Sequence, residues 1–360
     1  MTADPSNRSE GPSRSALLIV FLVVVIDLLG FGIVLPLLPL FAKGYVETLF
    51  PGGGESGTGG LMVGLLMASF SAMQFFFAPI WGRLSDRVGR RPILLLGLAG
   101  SVVFYALFGR ACDLSGETAE SARWALTLLF LSRIGAGIAG ATISTAQAVI
   151  ADTTPSEKRK HGMALIGAAF GIGFTIGPLV GFAALRWSAD HHGAIGYTAA
   201  ALSLIALVLG FFLLPETRKF HESAAPRRGR FDLETLRLTL GSPALAPIIG
   251  VFFLASVGFS SFEVTLSLLN RDSLGLQDHD NFLVFAYIGF VLLITQGFFY
   301  QRAARKLTEP SLMAIGISLM GMGVLALAGV TWLALRGTTP FGSLLTAQLA
   351  SLTLAVVGFA

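Results

Sequence analysis

Three ionisable residues stand inside long apolar stretches: Asp27 in VVVIDLLGFG, Arg133 in LLFLSRIGAG and Glu263 in GFSSFEVTLS. A charge at the centre of a membrane helix costs about 2.5–3.5 kcal/mol on insertion scales, so such groups face a cavity or one another and mark functional positions. Asp27 and Arg133 both lie near the middle of their stretches, at compatible depths. A carboxylate beside a guanidinium stays ionised, whereas an isolated one in a dry cavity is neutral. Movement of Asp27 between those settings makes a proton switch, with Arg133 tuning it; a static ion pair that fixes helix packing is the alternative. Glu263 ranks second to Asp27 as a protonation or cation site.

Heptad spacing puts Arg133, Gly140 and Gln147 on one helix face. Gln147 is therefore read as a neutral substrate contact, with a helix–helix hydrogen bond as the alternative. Gln74 and Gln296 are weaker cavity candidates. The runs Phe75–Phe77, Phe252–Phe253 and Phe298–Phe299 suit an apolar ligand, although lipid-facing or core packing is their default role.

Other chemistries find little support. The adjacent His191 and His192 have neither a third ligand nor H-x-x-x-H spacing, and no G-x-x-x-x-G-K-[ST] sequence occurs. Neither a metal site, a cofactor, ATP-driven pumping nor an enzyme is indicated. The single Cys112 cannot form an intrachain disulfide.

The elements that must position these residues are plain from composition. Hydrophobic residues make up 54% and charged residues 13%, against roughly a quarter charged in a soluble domain. A run of about 18 or more apolar residues crosses the hydrocarbon core as a helix. Ten such runs occur, over 16–41, 60–81, 92–109, 124–151, 162–186, 194–215, 243–269, 281–300, 310–335 and 340–360. The first is too long for the h-region of a signal peptide and lacks a following A-x-A-like site. The chain is expected to be an all-α, polytopic membrane bundle, and its 43 glycines suit close helix contacts.

Polar segments alternate in charge. On the N-terminal side lie Arg8, Arg14, Arg83, Arg87, Arg90, Arg91, Lys158, Arg159, Lys160, Arg218, Lys219, Arg227, Arg228, Arg230, Arg237, Arg302, Arg305 and Lys306. The other side holds Lys43, Arg110, Arg123, Arg186, Arg271 and Arg336. The positive-inside rule places the N-terminus in the cytoplasm, in the inner or plasma membrane of the cell. The net charge of +4 is thus topological, and no nucleic-acid partner is implied.

Four segments follow: a cytoplasmic tail over 1–15, a six-helix half over 16–215, a cytoplasmic linker over 216–242, and a four-helix stretch over 243–360. The loop WGRLSDRVGRRP (81–92) is echoed by QGFFYQRAARKL (296–307), aligning Gly82 with Gly297, Arg87 with Arg302, Arg90 with Arg305 and Arg91 with Lys306. The placement favours two related halves with a substrate site between them. Because the last run ends without a polar tail, the second half is read as partial.

The loop also carries a family resemblance. Gly82, Asp86, Arg87, Gly89, Arg90 and Arg91 match the spacing of the loop signature of the major facilitator superfamily. The resemblance implies a twelve-helix fold with ten helices present, and a gating role for this loop through contacts with the other half. Gly173, Gly177, Pro178 and Gly181 in GFTIGPLVGF resemble the helix-5 motif of proton-coupled antiporters, with Phe182 where a second glycine is usual. There the glycine stripe packs on a helix of the other half. Arg133 with its glycines resembles the helix-4 motif, Ala136 departing from it. Asp27, Gly30, Gly32, Pro36 and Pro39 resemble the first helix of tetracycline and multidrug efflux proteins, and the PET at 215–217 is common in the superfamily. The implied function is proton-coupled antiport of a small amphipathic compound by a monomer. The alternatives are a facilitator or symporter of a sugar or organic anion, or a non-transporting membrane protein on the same scaffold.

Overall fold

The structure, a computed structural model, describes residues 14–52, 57–154, 159–188, 191–217, 237–238, 240–243, 245–336 and 340–359. Twelve helices of eight residues or more account for nearly all of them: α1 (Arg14–Val34), α2 (Leu38–Leu49), α3 (Gly57–Val88), α4 (Arg90–Cys112), α5 (Ala119–Gly140), α6 (Ile143–Thr153), α7 (Arg159–Trp187), α8 (Gly193–Leu213), α9 (Ala246–Leu274), α10 (Asp278–Ile294), α11 (Glu309–Arg336) and α12 (Phe341–Phe359). Ten stretches are long and apolar enough to span a membrane, with α1–α2 and α5–α6 each forming one. They correspond one for one to the ten runs in the sequence. The tail over 1–13 and most of the expected linker lie outside the described residues.

Two spans are broken, for legible reasons. In the first, Pro39 has no N–H to give to the Leu35 carbonyl, and Leu40 N bonds back to Leu37 O at 3.0 Å. The chain turns at 35–37 and restarts as α2, leaving the Pro36 carbonyl without its helical partner. In the fourth span, Thr142 N bonds to Ala139 O at 3.3 Å and its hydroxyl to the same carbonyl at 3.0 Å. This local bonding competes with the helical ladder and separates α5 from α6. A π-helical turn at Thr295–Tyr300 continues α10.

Side-chain packing makes three main layers. Ile33, Leu37, Leu38, Val46, Phe108, Leu129, Leu185 and Ile195 fill the end away from the N-terminus. Val20, Val24, Leu28, Val149, Ile150 and Ala169 fill the N-terminal end of the first six spans. A third cluster joins Leu35, with Phe31 and Phe174 packed against it, to Phe262, Leu266, Phe285, Ile288 and Leu352 of the last four spans. Along α7 the first six spans meet α10: Gly289 abuts the Phe174 backbone, and Gly181 faces the Phe282 ring.

Candidate functional site

Asp27 lies on α1 against Ser101 of α4, its side-chain hydrogen-bond partner. Its Oδ1 is buried with no partner. A small cavity of about 20 Å³ adjoins it, lined by Val23, Val24, Leu94, Leu98, Thr142, Ile143 and Ala146. A carboxylate so enclosed, with one oxygen unserved, is a poor place for a permanent negative charge.

Arg133 on α5 is 3% exposed. Its guanidinium carbon sits 4.4 Å from the Phe70 ring centre and 6.0 Å from that of Phe31, which is cation–π geometry. Its Nε has no hydrogen-bond partner. Among the described residues no ion pair joins Asp27 and Arg133, so the direct partnership expected from their depths is not the arrangement here. Tyr105 of α4 is a further buried group in this region. It is 4% exposed, packs where a side chain at Gly30 would otherwise stand, and interacts electrostatically with both Asp27 and Arg133. Sequence reasoning missed Tyr105; its lone hydroxyl within SVVFYALFG was the available signal.

Gln147 lies beyond the helix break. The heptad stripe needs one continuous helix, whereas α5 ends at Gly140 and α6 starts at Ile143. Gln147 is exposed and does not join Arg133. Gln74 instead donates to the Gly140 carbonyl at 3.3 Å, serving backbone freed by the break. The rings of Phe75, Phe76, Phe252, Phe253, Phe298 and Phe299 are exposed, in line with their default lipid-facing role.

The glycine stripe divides its contacts. Gly173 and Gly177 press on Leu28, Leu29 and Gly32 of α1, within the first six spans, and only Gly181 meets the last four, at Phe282. The expectation that the whole stripe packs on the other half is corrected, because Gly32 opposes it and lets α1 approach backbone to backbone. Pro178 lies inside α7 as expected.

The loop motif is a charge network. Gly89 has φ of 120°, a conformation that side chains resist, and precedes α4. The Glu216 carboxylate accepts from Arg90 N at 2.9 Å and Arg91 N at 3.2 Å, capping α4 from a distance. Arg90 also pairs with Asp86 at 2.6 Å and Asp152 at 3.1 Å, and Arg91 donates to the Phe211 carbonyl. Gly82 and Arg87 lie in the last turns of α3. The contacts named here join α3, α4, α6 and α8 to one another and to Glu216, which follows α8.

The opposite end is bridged. Lys43 Nζ meets Asp272 Oδ2 at 2.7 Å, His192 Nε2 meets Asp278 Oδ2 at 3.2 Å, and Arg271 Nη1 meets Asp278 Oδ1 at 3.5 Å. Ser267 Oγ donates to the Pro36 carbonyl at 2.7 Å. Behind it, Asn270 donates to Asn281 at 2.7 Å and accepts from Gln348, an amide cluster that ties α9, α10 and α12 and has no local sequence signature. One turn from Ser267, Glu263 Oε1 is buried without a partner.

The model of the Major Facilitator Superfamily matches residues 20–360. The chain belongs to that superfamily. As a member it is an integral, multi-pass transporter of small molecules. It is 34% identical over 322 residues to the class E tetracycline resistance protein of Escherichia coli, covering 88% of this chain and 72% of that one. It is 31% identical over 377 residues to human major facilitator superfamily domain-containing protein 10, covering 90% and 79%. The crystal structure of that human protein, described as an organic anion transporter, superposes with a TM-score of 0.59 at 26% identity, over 97% of this chain and 86% of that one. A D-xylose-proton symporter shares the fold, with a TM-score of 0.67 at 17% identity over 96% and 80%. The drug-transporter expectation is borne out by the tetracycline resistance relatives.

Proposed function

We propose that this superfamily member exports a small amphipathic organic compound in exchange for protons, with Asp27 as the proton-carrying group. The observation that carries the reading is the enclosed Asp27 carboxylate with an unserved oxygen, set apart from a buried Arg133 that lies over the Phe70 ring. With no ion pair between them, Asp27 stands apart from the guanidinium in an enclosed site that suits the neutral carboxyl. A shift of α1 against α5 that brings the two together favours the ionised form and expels the proton. The broken spans supply the freedom for that shift, since α1–α2 and α5–α6 each turn at mid-course. The protein acts as a monomer in the cell membrane with its N-terminus in the cytoplasm, and the loop over 82–91 gates the cytoplasmic end.

Reconstitution into vesicles with an imposed pH gradient tests this. Wild-type protein accumulates a drug such as tetracycline, and dissipating the gradient abolishes accumulation. Asp27→Asn reduces gradient-driven uptake to background while the protein still inserts; coupled uptake at wild-type level would refute the reading. Tyr105→Phe retains uptake and slows it several-fold if the phenol passes or steadies the proton.

A further inference from the structure

The bridge at the end away from the N-terminus hangs on a short length of chain. Ser267 and Asp272, on the last two turns of α9, and Asp278, on the first turn of α10, reach Pro36, Lys43 and His192 of the first six spans. Local bonding already joins α9 to α10. Gly275, at φ of 65°, closes α9 with its N–H on Arg271 O at 3.2 Å and Leu276 N on Asn270 O at 3.1 Å, a glycine C-cap. Asp280 accepts from Gln277 N at 3.0 Å and so starts α10. The amide cluster lies beneath this hairpin. Asn270 follows Ser267 by one helical turn, and Asn281 follows Asp278 by one turn, so each shares a helix face with a bridging residue. Both are fully buried, as is Gln348 of α12, which stands between buried Leu344 and Leu352 on one stripe of its helix. Asn270 donates to Asn281 at 2.7 Å and accepts from Gln348. Asn281 Nδ2 and Gln348 Oε1 have no hydrogen-bond partner among the described residues. The cluster therefore buries polar groups that it does not fully serve, which opposes folding; apolar side chains of similar volume would hold the three helices together without that burden.

We infer that Asn270, Asn281 and Gln348 are positioning residues for the closure of this end. They fix the register of α12 against the α9–α10 hairpin, and through it the aim of Ser267, Asp272 and Asp278 at the first six spans. Apolar contacts tolerate a helix that slides or turns, whereas a chain of directional hydrogen bonds admits one register. The hairpin is closed by its own caps, so the bond that nothing local supplies is the one from Gln348, 78 residues from Asn270 along the chain. α12 thus steers a bridge whose contacts are made by α9 and α10. A carrier with its site between two groups of spans opens at each end in turn, and loosening this register favours the state open at this end. The inference concerns that closure alone and stands whichever group carries the proton.

Spin labels at Glu47→Cys on α2 and Ser343→Cys on α12, both exposed positions, measure the width of this end by pulsed dipolar spectroscopy. The sample is the full chain in lipid nanodiscs, in a Cys112→Ala background. Wild type should show mainly the short distance, and Ser267→Ala should move population to a longer one. The triple variant Asn270→Leu, Asn281→Leu, Gln348→Leu should melt at or above the wild-type temperature, because removing every partner leaves no amide unserved. It should nevertheless raise the long-to-short ratio about fivefold, the scale of one intramolecular hydrogen bond. Combined with Ser267→Ala, it should raise the ratio by less than the product of the two separate effects, since both act on one closure. Tyr287→Phe cuts a second bond between α10 and α12, the 2.6 Å contact with Thr353, further down the bundle, and should leave the ratio unchanged. An unchanged distance distribution in the triple variant overturns the inference and leaves the cluster a matter of stability. Opening by Tyr287→Phe as large as that of the triple variant overturns it as well. If the triple variant loses its cooperative melt, Gln348→Leu alone decides by the same ratio, a rise supporting the inference and no change refuting it.

Discussion

At the N-terminal end of the bundle, Arg90 and Arg91 gather Asp86, Asp152, Glu216 and the Phe211 carbonyl into one network. At the opposite end, Lys43 and His192 reach across to Asp272 and Asp278, and Ser267 reaches back to Pro36. The first network has more partners, and the pairings named join the first six spans to one another and to Glu216 at the start of the linker. The second is thinner and crosses from those spans to the last four. Charge density is therefore no guide to what restrains movement: the dense network can travel with its spans as a rigid unit, while the sparse one must break for its end to open. This chain is latched at the end away from its N-terminus.

Breaking the dense network should cost stability more than it alters conformation. Gly89→Val forces a side chain into a glycine conformation and against Glu216, at about 1–3 kcal/mol for such backbone strain; thermal unfolding in detergent should fall measurably. Glu216→Gln leaves Arg90 N and Arg91 N with a neutral acceptor and removes a charge from the α4 N-terminus, an effect of up to about 2 kcal/mol; the same melt should fall by less than for Gly89→Val. On the latch side, Asp278→Asn loosens both His192 and Arg271, and Lys43→Met frees Asp272. Exposed pairs contribute about 0.2–1 kcal/mol each, so labelling of a cysteine placed behind the latch should rise a few-fold for Asp278→Asn and least for Lys43→Met, with little change in melting. A larger melting loss for the latch variants would reverse the comparison.

The sequence made the ten spans legible because hydropathy over a membrane thickness is a one-dimensional signal. Pro36 and Pro39 read there only as part of a family pattern, although Pro39's missing N–H is what breaks the first span. The break at Ala141–Thr142 was not legible either, since a threonine bonding its own backbone looks like any other in GATIST. That break puts Gln147 on α6, a different helix from Arg133. Asp27, Arg133 and Glu263 stood out as charges in apolar runs. Tyr105 did not, because its role depends on two residues brought to it from α1 and α5. The Asn270–Asn281–Gln348 cluster was hidden for the same reason, its members being separated along the chain and ordinary one by one. Glu216 was seen as part of PET, but not as the cap of a helix that begins at Arg90.

The bond from Ser267 to Pro36 joins a side chain to main chain. Its two ends are therefore unequal before mutation. Any residue placed at 36 still presents a carbonyl, whereas only a hydroxyl or another donor at 267 can reach it. A genetic screen for variants that open too readily at this end should return changes at 267 and few at 36, so that one contact shared by two parts of the molecule is inherited through only one of them.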